Sequence, residues 1–223
     1  MALTGNKCFG SGVATAYDQH AVSTDPYAQR IDSDTGRRIL TIARALVAER
    51  GVNGAHIVEI ARRAGIARGL VNYYFGTKSR LLGEVLDADA ADRLERLRER
   101  AAGALTLDEL VRGLGSLVED FLRPDRGRLA LQELATLALH DDDIAGRLAR
   151  SRARYRTELA EILIDREQAG IVQLQGEPAA VAAMFVAIGQ GIITEQLADP
   201  TWDHTPTARY ALTVARCMLE PPT

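Results

Sequence analysis

Arg68 and Asn72 stand four residues apart in a run without proline, and Tyr73, Tyr74 and Lys78 follow closely. On a helix, a spacing of four puts two side chains on one face. A guanidinium there fits the O6 and N7 edge of guanine, and a carboxamide fits the N6 and N7 edge of adenine. Tyr73, Tyr74, Lys78 and His56 carry donors suited to phosphate oxygens. Lys78 also opens a helix, where the N-terminal dipole favours the same anion. Gly69 costs about 1 kcal/mol of helix stability, yet lets the backbone approach a groove. Together these seven residues can grip and read duplex DNA.

Bond-making chemistry lacks its residues. The chain has no GxSxG, P-loop, GxGxxG or HExxH pattern, and its histidines, His20, His56, His140 and His204, are scattered. His140 precedes three aspartates, which suit a helix start better than a metal. No catalytic residue, metal site or cofactor is expected. Charge is unevenly spread. Residues 34–82 hold nine Arg or Lys and three acids, a net +6; the whole chain is −3, so the remainder carries −9. A basic unit on an acidic body is the electrostatic footprint of a DNA reader.

Presenting such a face takes two short helices that cross steeply. Gly65 supplies the positive φ of the turn. Ala61 is small enough for the close contact. Ile60, Ala64, Ile66, Val71 and Tyr74 lie at −5, −1, +1, +6 and +9 from Gly65 and form a shared core. This is the helix-turn-helix pattern. A preceding helix from Asp34, with Ile39, Ile42, Ala43, Leu46 and Val47 on one stripe, ends at Gly51.

Residues 51–82 resemble the tetracycline-repressor (TetR) family of bacterial regulators. Ile60-Ala61, Ala64-Gly65-Ile66, Gly69, Tyr74-Phe75, Lys78 and Leu81-Leu82 carry the likeness. Two positions depart from the family pattern. His56 stands where Ser or Thr usually caps the second helix, and Gly69-Leu70-Val71-Asn72 replaces the usual GT-x-Y. The resemblance implies an all-α fold, with an N-terminal three-helix DNA-binding unit followed by a C-terminal helical bundle, about nine helices in total. It also implies a homodimer on a palindromic operator and a small-molecule effector bound in the body. The usual outcome in the family is release of a repressor from its operator. A ligand-independent architectural or division-control protein on the same fold is the alternative.

The organisation expected is an arm over 1–33, a DNA-binding domain over 34–82 and a sensing and dimerisation domain over 83–223. In the body, Leu117, Phe121, Leu134, Tyr155 and Met184 are candidate ligand contacts. A helix over about 178–197 is apolar nearly all round, so one stripe can face a second copy. Ala182, Val186, Gly189 and Ile193, with Ala211 and Ala215 of the last helix, are the candidate dimer interface. Arg147, Arg150, Arg152, Arg154 and Arg156 read as a solvated face, with Arg154 and Glu158 as an i,i+4 pair. The longest apolar stretch, around 179–193, falls short of the roughly 20 residues of a membrane span. No secretory signal is read, and Cys8 and Cys217 match no disulfide or zinc spacing. A cytoplasmic setting follows as the expectation.

Overall fold

Local chemistry sets the helix ends in the computed structural model, which describes residues 27–122 and 126–220 and their side chains except those at 121 and 126–131. The helices are α1 (Ala28–Ile31), α2 (Asp34–Gly54), α3 (Ile57–Ala64), α4 (Arg68–Phe75) and α5 (Lys78–Leu97), then α6 (Leu107–Leu122), α7 (Arg126–Leu137), α8 (Asp142–Gln168), α9 (Pro178–Ala198) and α10 (Thr205–Leu219). A π turn, Arg98–Ala102, prolongs α5. No strand occurs among the described residues. The all-α architecture is as expected.

Caps explain most boundaries. Ser33 Oγ accepts the N–H of Gly36 at 3.1 Å, so Ser33 and not Asp34 caps α2. Thr77 caps α5 in the same way. Asp141 caps α8 by accepting from Asp143 and Ile144, and it also accepts the hydroxyl of Ser79. Gly51, at φ 73° and ψ 176°, bends α2 near its end. Only glycine enters that backbone region without strain.

One helix was not anticipated. α1 lies in the stretch read as an arm, because Ile31 is buried and Tyr27 packs on the same core. The rest of that arm, residues 1–26, with Lys7 and Cys8, lies outside the described residues.

Two apolar cores share their helices. The first joins α1 to α4 with Leu81, Leu82, Val85 and Leu86 of α5. It also takes in Leu134 of α7 and Ile144 of α8. The second joins the far end of α5 to α6, α8, α9 and α10. α5 and α8 therefore run through both.

The stripes of α9 differ from the sequence reading. Ala182 and Gly189 are buried within the chain, as is Ala215 of α10, so they cannot be interface residues. A Cβ on Gly189 would lie 3.4 Å from Val118 of α6, which shows where that stripe faces. Val186, Ile193 and Ala211 are half-buried. The exposed positions of α9 are Ala179, Ala180, Met184, Ala187, Gln190, Gly191, Thr194, Glu195 and Ala198, with Tyr210 and Cys217 among those of α10. An apolar helix with no strong moment leaves the choice of inner stripe to its neighbours. The helix is also longer than the apolar run suggested. At 21 residues it is long and apolar enough to cross a membrane, by length and composition only. It packs instead on α6, α8 and α10.

Candidate functional site

The crossed pair forms as its residues dictate. Gly65 ends α3 in the left-handed region, at φ 64°. Ile60, Ala61, Ala64, Val71 and Phe75 are buried between α3 and α4, and Ile66 is half-buried. Phe75, at 1% exposure, takes the deepest place. Tyr74 is half-buried, with its ring edge-on to Tyr73 at 5.4 Å.

Arg68, Gly69, Asn72 and Tyr73 all lie on the exposed side of α4. Arg68 and Asn72 form no side-chain hydrogen bond or ion pair within the described residues. A Cβ on Gly69 would meet nothing within 4 Å, so that surface is open. His56 is exposed at the N-cap of α3, and its ring makes no cap hydrogen bond. Lys78 is half-buried, and its Nζ donates to the carbonyl of Val52 at 3.1 Å. One of its three N–H groups is thus committed inward, and two remain.

Two further residues belong to this face. Leu70 is 41% exposed beside Arg68. An apolar side chain there suits a thymine methyl. Arg30 of α1 donates to the carbonyl of Tyr73 at 3.0 Å, and its guanidinium lies 4.2 Å from the Tyr73 ring centroid. The contact spans 43 residues of sequence, so no local pattern announces it.

The other cations near the turn are structural. Arg62 and Arg63 both bond Glu59, and Arg63 also bonds Glu49 of α2 at 2.8 Å. This ties α3 to α2. The Arg62 and Arg63 guanidiniums hold the Glu59 carboxyl down to about 2, from an ordinary 4.5. A depressed carboxyl stabilises the fold above its unfolded value and loses that contribution as pH falls toward its folded value. Unfolding free energy should therefore decline between pH 4.5 and about 2. The Glu59→Gln variant should lack that part of the decline, which urea titrations across the range would measure.

A cavity of about 850 Å³ opens in the body between α5, α6, α8, α9 and α10. Of the candidate ligand contacts, Leu117 and Tyr155 line it. Leu134 does not, being buried in the core beneath the helix-turn-helix. Met184 points outward at 51% exposure. The side chain of Phe121 lies outside the described residues. Burial raises the Tyr155 phenol above its ordinary value, opposed by the nearby Arg93 and Arg96. The basic run on α8 is only partly a solvated face. Arg147 bonds Glu84 and Asp87 of α5. Glu158 bonds Arg98 at 2.5 Å, and Arg154 acts on it through its charge alone. Arg152 and Arg156 line the cavity.

Residues 39–85 match the model of the bacterial regulatory proteins of the tetR family. Over 142 residues the chain is 28% identical to the HTH-type transcriptional repressor KstR2 of Rhodococcus jostii (strain RHA1), covering 61% of this chain and 64% of that one. Over 88 residues it is 40% identical to the HTH-type transcriptional repressor Rv3405c of Mycobacterium tuberculosis (strain H37Rv), covering 37% and 46%. The matches thus span less than two thirds of these curated relatives. Among solved structures, reduced NemR of E. coli superposes with a TM-score of 0.71 at 18% identity, over 85% of this chain and 100% of that one. FadR of Bacillus subtilis in complex with stearoyl-CoA gives 0.64 at 20%, over 81% and 97%. Residues 39–85 are thus a tetR-type reading head, and the all-helical body that carries it shares the fold of these solved structures.

Proposed function

We propose that the protein is a transcriptional repressor that binds a palindromic DNA operator as a homodimer and leaves it when a small molecule occupies the body cavity. The division of labour is a reading head over 34–82 and a sensing, dimerising body over 83–223. One observation carries the first half. α4 offers a guanidinium and a carboxamide, Arg68 and Asn72, that have no side-chain partner among the described residues, on an open surface beside Tyr73. Those two groups read base edges, while His56, Tyr73, Tyr74 and Lys78 grip phosphates, and Gly69 allows close approach. Work on chromosomal DNA sets the location in the cytoplasm.

Pairing is needed because one such head reads only a few base pairs. The outward stripe of α9, Met184 to Ala198, with Tyr210, is the surface we assign to the second copy. Met184 and Tyr210 are its large exposed hydrophobics, with Gln190, Thr194 and Glu195 as polar positions along the same exposed side. The cavity supports the sensing role, and FadR, of the same fold, is seen with stearoyl-CoA.

A polar clamp offers the route between sites. Glu133 of α7 accepts the N–H of Val52 at 2.5 Å, while Lys78 donates to the carbonyl of Val52 at 3.1 Å. Val52 follows the bend of α2 and leads into α3. The neighbours Gln132 and Ala135 on α7 line the cavity. A ligand that moves α7 thereby moves the entrance to the reading head, and the spacing of two heads no longer fits adjacent grooves.

The test is an anisotropy titration on an operator duplex selected from genomic DNA. Arg68→Ala should lower affinity by about 1–3 kcal/mol and relax specificity. Lys78→Ala should weaken all duplexes alike and flatten the salt dependence. Unchanged binding by both variants would refute this reading.

A further inference from the structure

The cavity is apolar along most of its wall but not neutral. Arg93 of α5, Arg152 and Arg156 of α8 and Arg209 of α10 face it, against one carboxylate, Glu119 of α6. The remaining wall is mostly apolar, with Leu86, Leu117, Leu159 and Ile192 among its residues, beside Gln132, Ser151, Gln190, His204 and Thr205. Arg93, Arg152 and Arg156 form no ion pair within the described residues. Asp89 is the acid that Arg93 feels most, but its carboxylate is bonded to Arg44 of α2 at 3.2 Å. Burial pushes the Arg93 guanidinium below its ordinary value. Arg93 is half-buried, and a partly desolvated cation without an ion-pair partner carries a cost that is relieved when an anion arrives. Tyr155 stands on the same wall, and its raised phenol remains an O–H donor. Three guanidiniums and a phenol on one side, with aliphatic side chains around the rest, describe a ligand with two ends.

We propose that the effector is an anionic amphiphile whose aliphatic part fills the cavity and whose carboxylate or phosphate is held by Arg93, Arg152 and Arg156. The inference rests on the cavity being the effector site. The volume suits it: about 850 Å³ falls inside the roughly 300–1,000 Å³ of small-molecule sites. The charge count suits it as well, because a single anion is drawn by a lining that is positive overall.

Four probes with one chain length test the proposal by calorimetry on the full protein: dodecanoate, dodecyl phosphate, 1-dodecanol and dodecylamine, each below its micelle concentration. At least one of the two anions should bind about tenfold more tightly than the alcohol, the size of one charge-assisted hydrogen bond, and the amine should not bind. The tighter of the two anions identifies the head group. Arg93→Gln and Arg152→Gln should each lose about tenfold in affinity for that anion and nothing for the alcohol. Arg154→Gln, on the same helix but away from the cavity, should change neither. Thermal melts of the free variants check that each is folded. Equal binding of alcohol and anions overturns the proposal, and so does full anion affinity in Arg93→Gln. If the alcohol binds as tightly as the anions, or the amine binds, and operator DNA is released, the effector cavity stands and only its charge preference falls. If none of the four binds or alters the operator complex, both fall.

Discussion

Replacing Phe75 by alanine should remove about 3–5 kcal/mol of stability, the usual cost of emptying a fully buried aromatic site. Phe75 is 1% exposed and ends α4, where it is the largest side chain between the crossed helices and the rest of the head. Alanine would leave a void lined by Ile60, Val71 and Leu81, neighbours in the same core. Most domains are stable by only about 5–15 kcal/mol, so the variant should melt far earlier and bind operator poorly even where it remains folded. Leu70→Ala is the matching control on the same helix. Leu70 is largely solvent-facing, and its loss should cost at most about 0.5 kcal/mol of stability. Urea unfolding of the two variants side by side measures the contrast. Superimposable curves for Phe75→Ala and the parent would mean that α4 is seated by something else.

Gly51→Ala should cost about 3 kcal/mol, from two sources. The backbone at φ 73° and ψ 176° is open to glycine and strained for alanine. In addition, a Cβ would lie 2.7 Å from Glu133 Oε2, inside contact distance. The carboxylate would have to move, and the N–H of Val52 would lose its acceptor. Glu133→Ala separates the two sources, because it removes the acceptor of the Val52 N–H and leaves the glycine backbone unstrained. It should cost less than half as much. Equal stability of Gly51→Ala and the parent would show that the bend is not held in this conformation.

The reading head was legible because its residues interact locally. The turn at Gly65, the apolar positions around it and the exposed side of α4 all lie within some twenty residues, and each position has a physical requirement that few residue types meet. The choice between Tyr74 and Phe75 for the deepest place was less so. Adjacent aromatics at the end of a short helix differ by only one step of rotation, and the neighbours decide. α1 was illegible, since its only reason to fold is the core that Ile31 and Tyr27 reach. The body was read well in outline and poorly in detail. Pro178 and the break at Gly170 announced the limits of helices, but an apolar helix such as α9 does not declare its inner face. The cationic side of the cavity was hidden for a related reason. Arg93 and Arg152 are distant in sequence, and the acids that might have neutralised them are engaged elsewhere, as Asp89 is by Arg44 and Glu158 by Arg98.

The passage of α5 and α8 through both cores bears on how such a regulator can be recombined. Leu134 and Ile144 belong by packing to the reading head, although more than fifty residues of chain separate them from Leu82. A chimera cut after residue 82 would graft a head whose floor has been left behind in the donor. The seam that separates reader from sensor is therefore a surface and not a point on the chain. Specificity can be transplanted intact only if the corner between α7 and α8 travels with it.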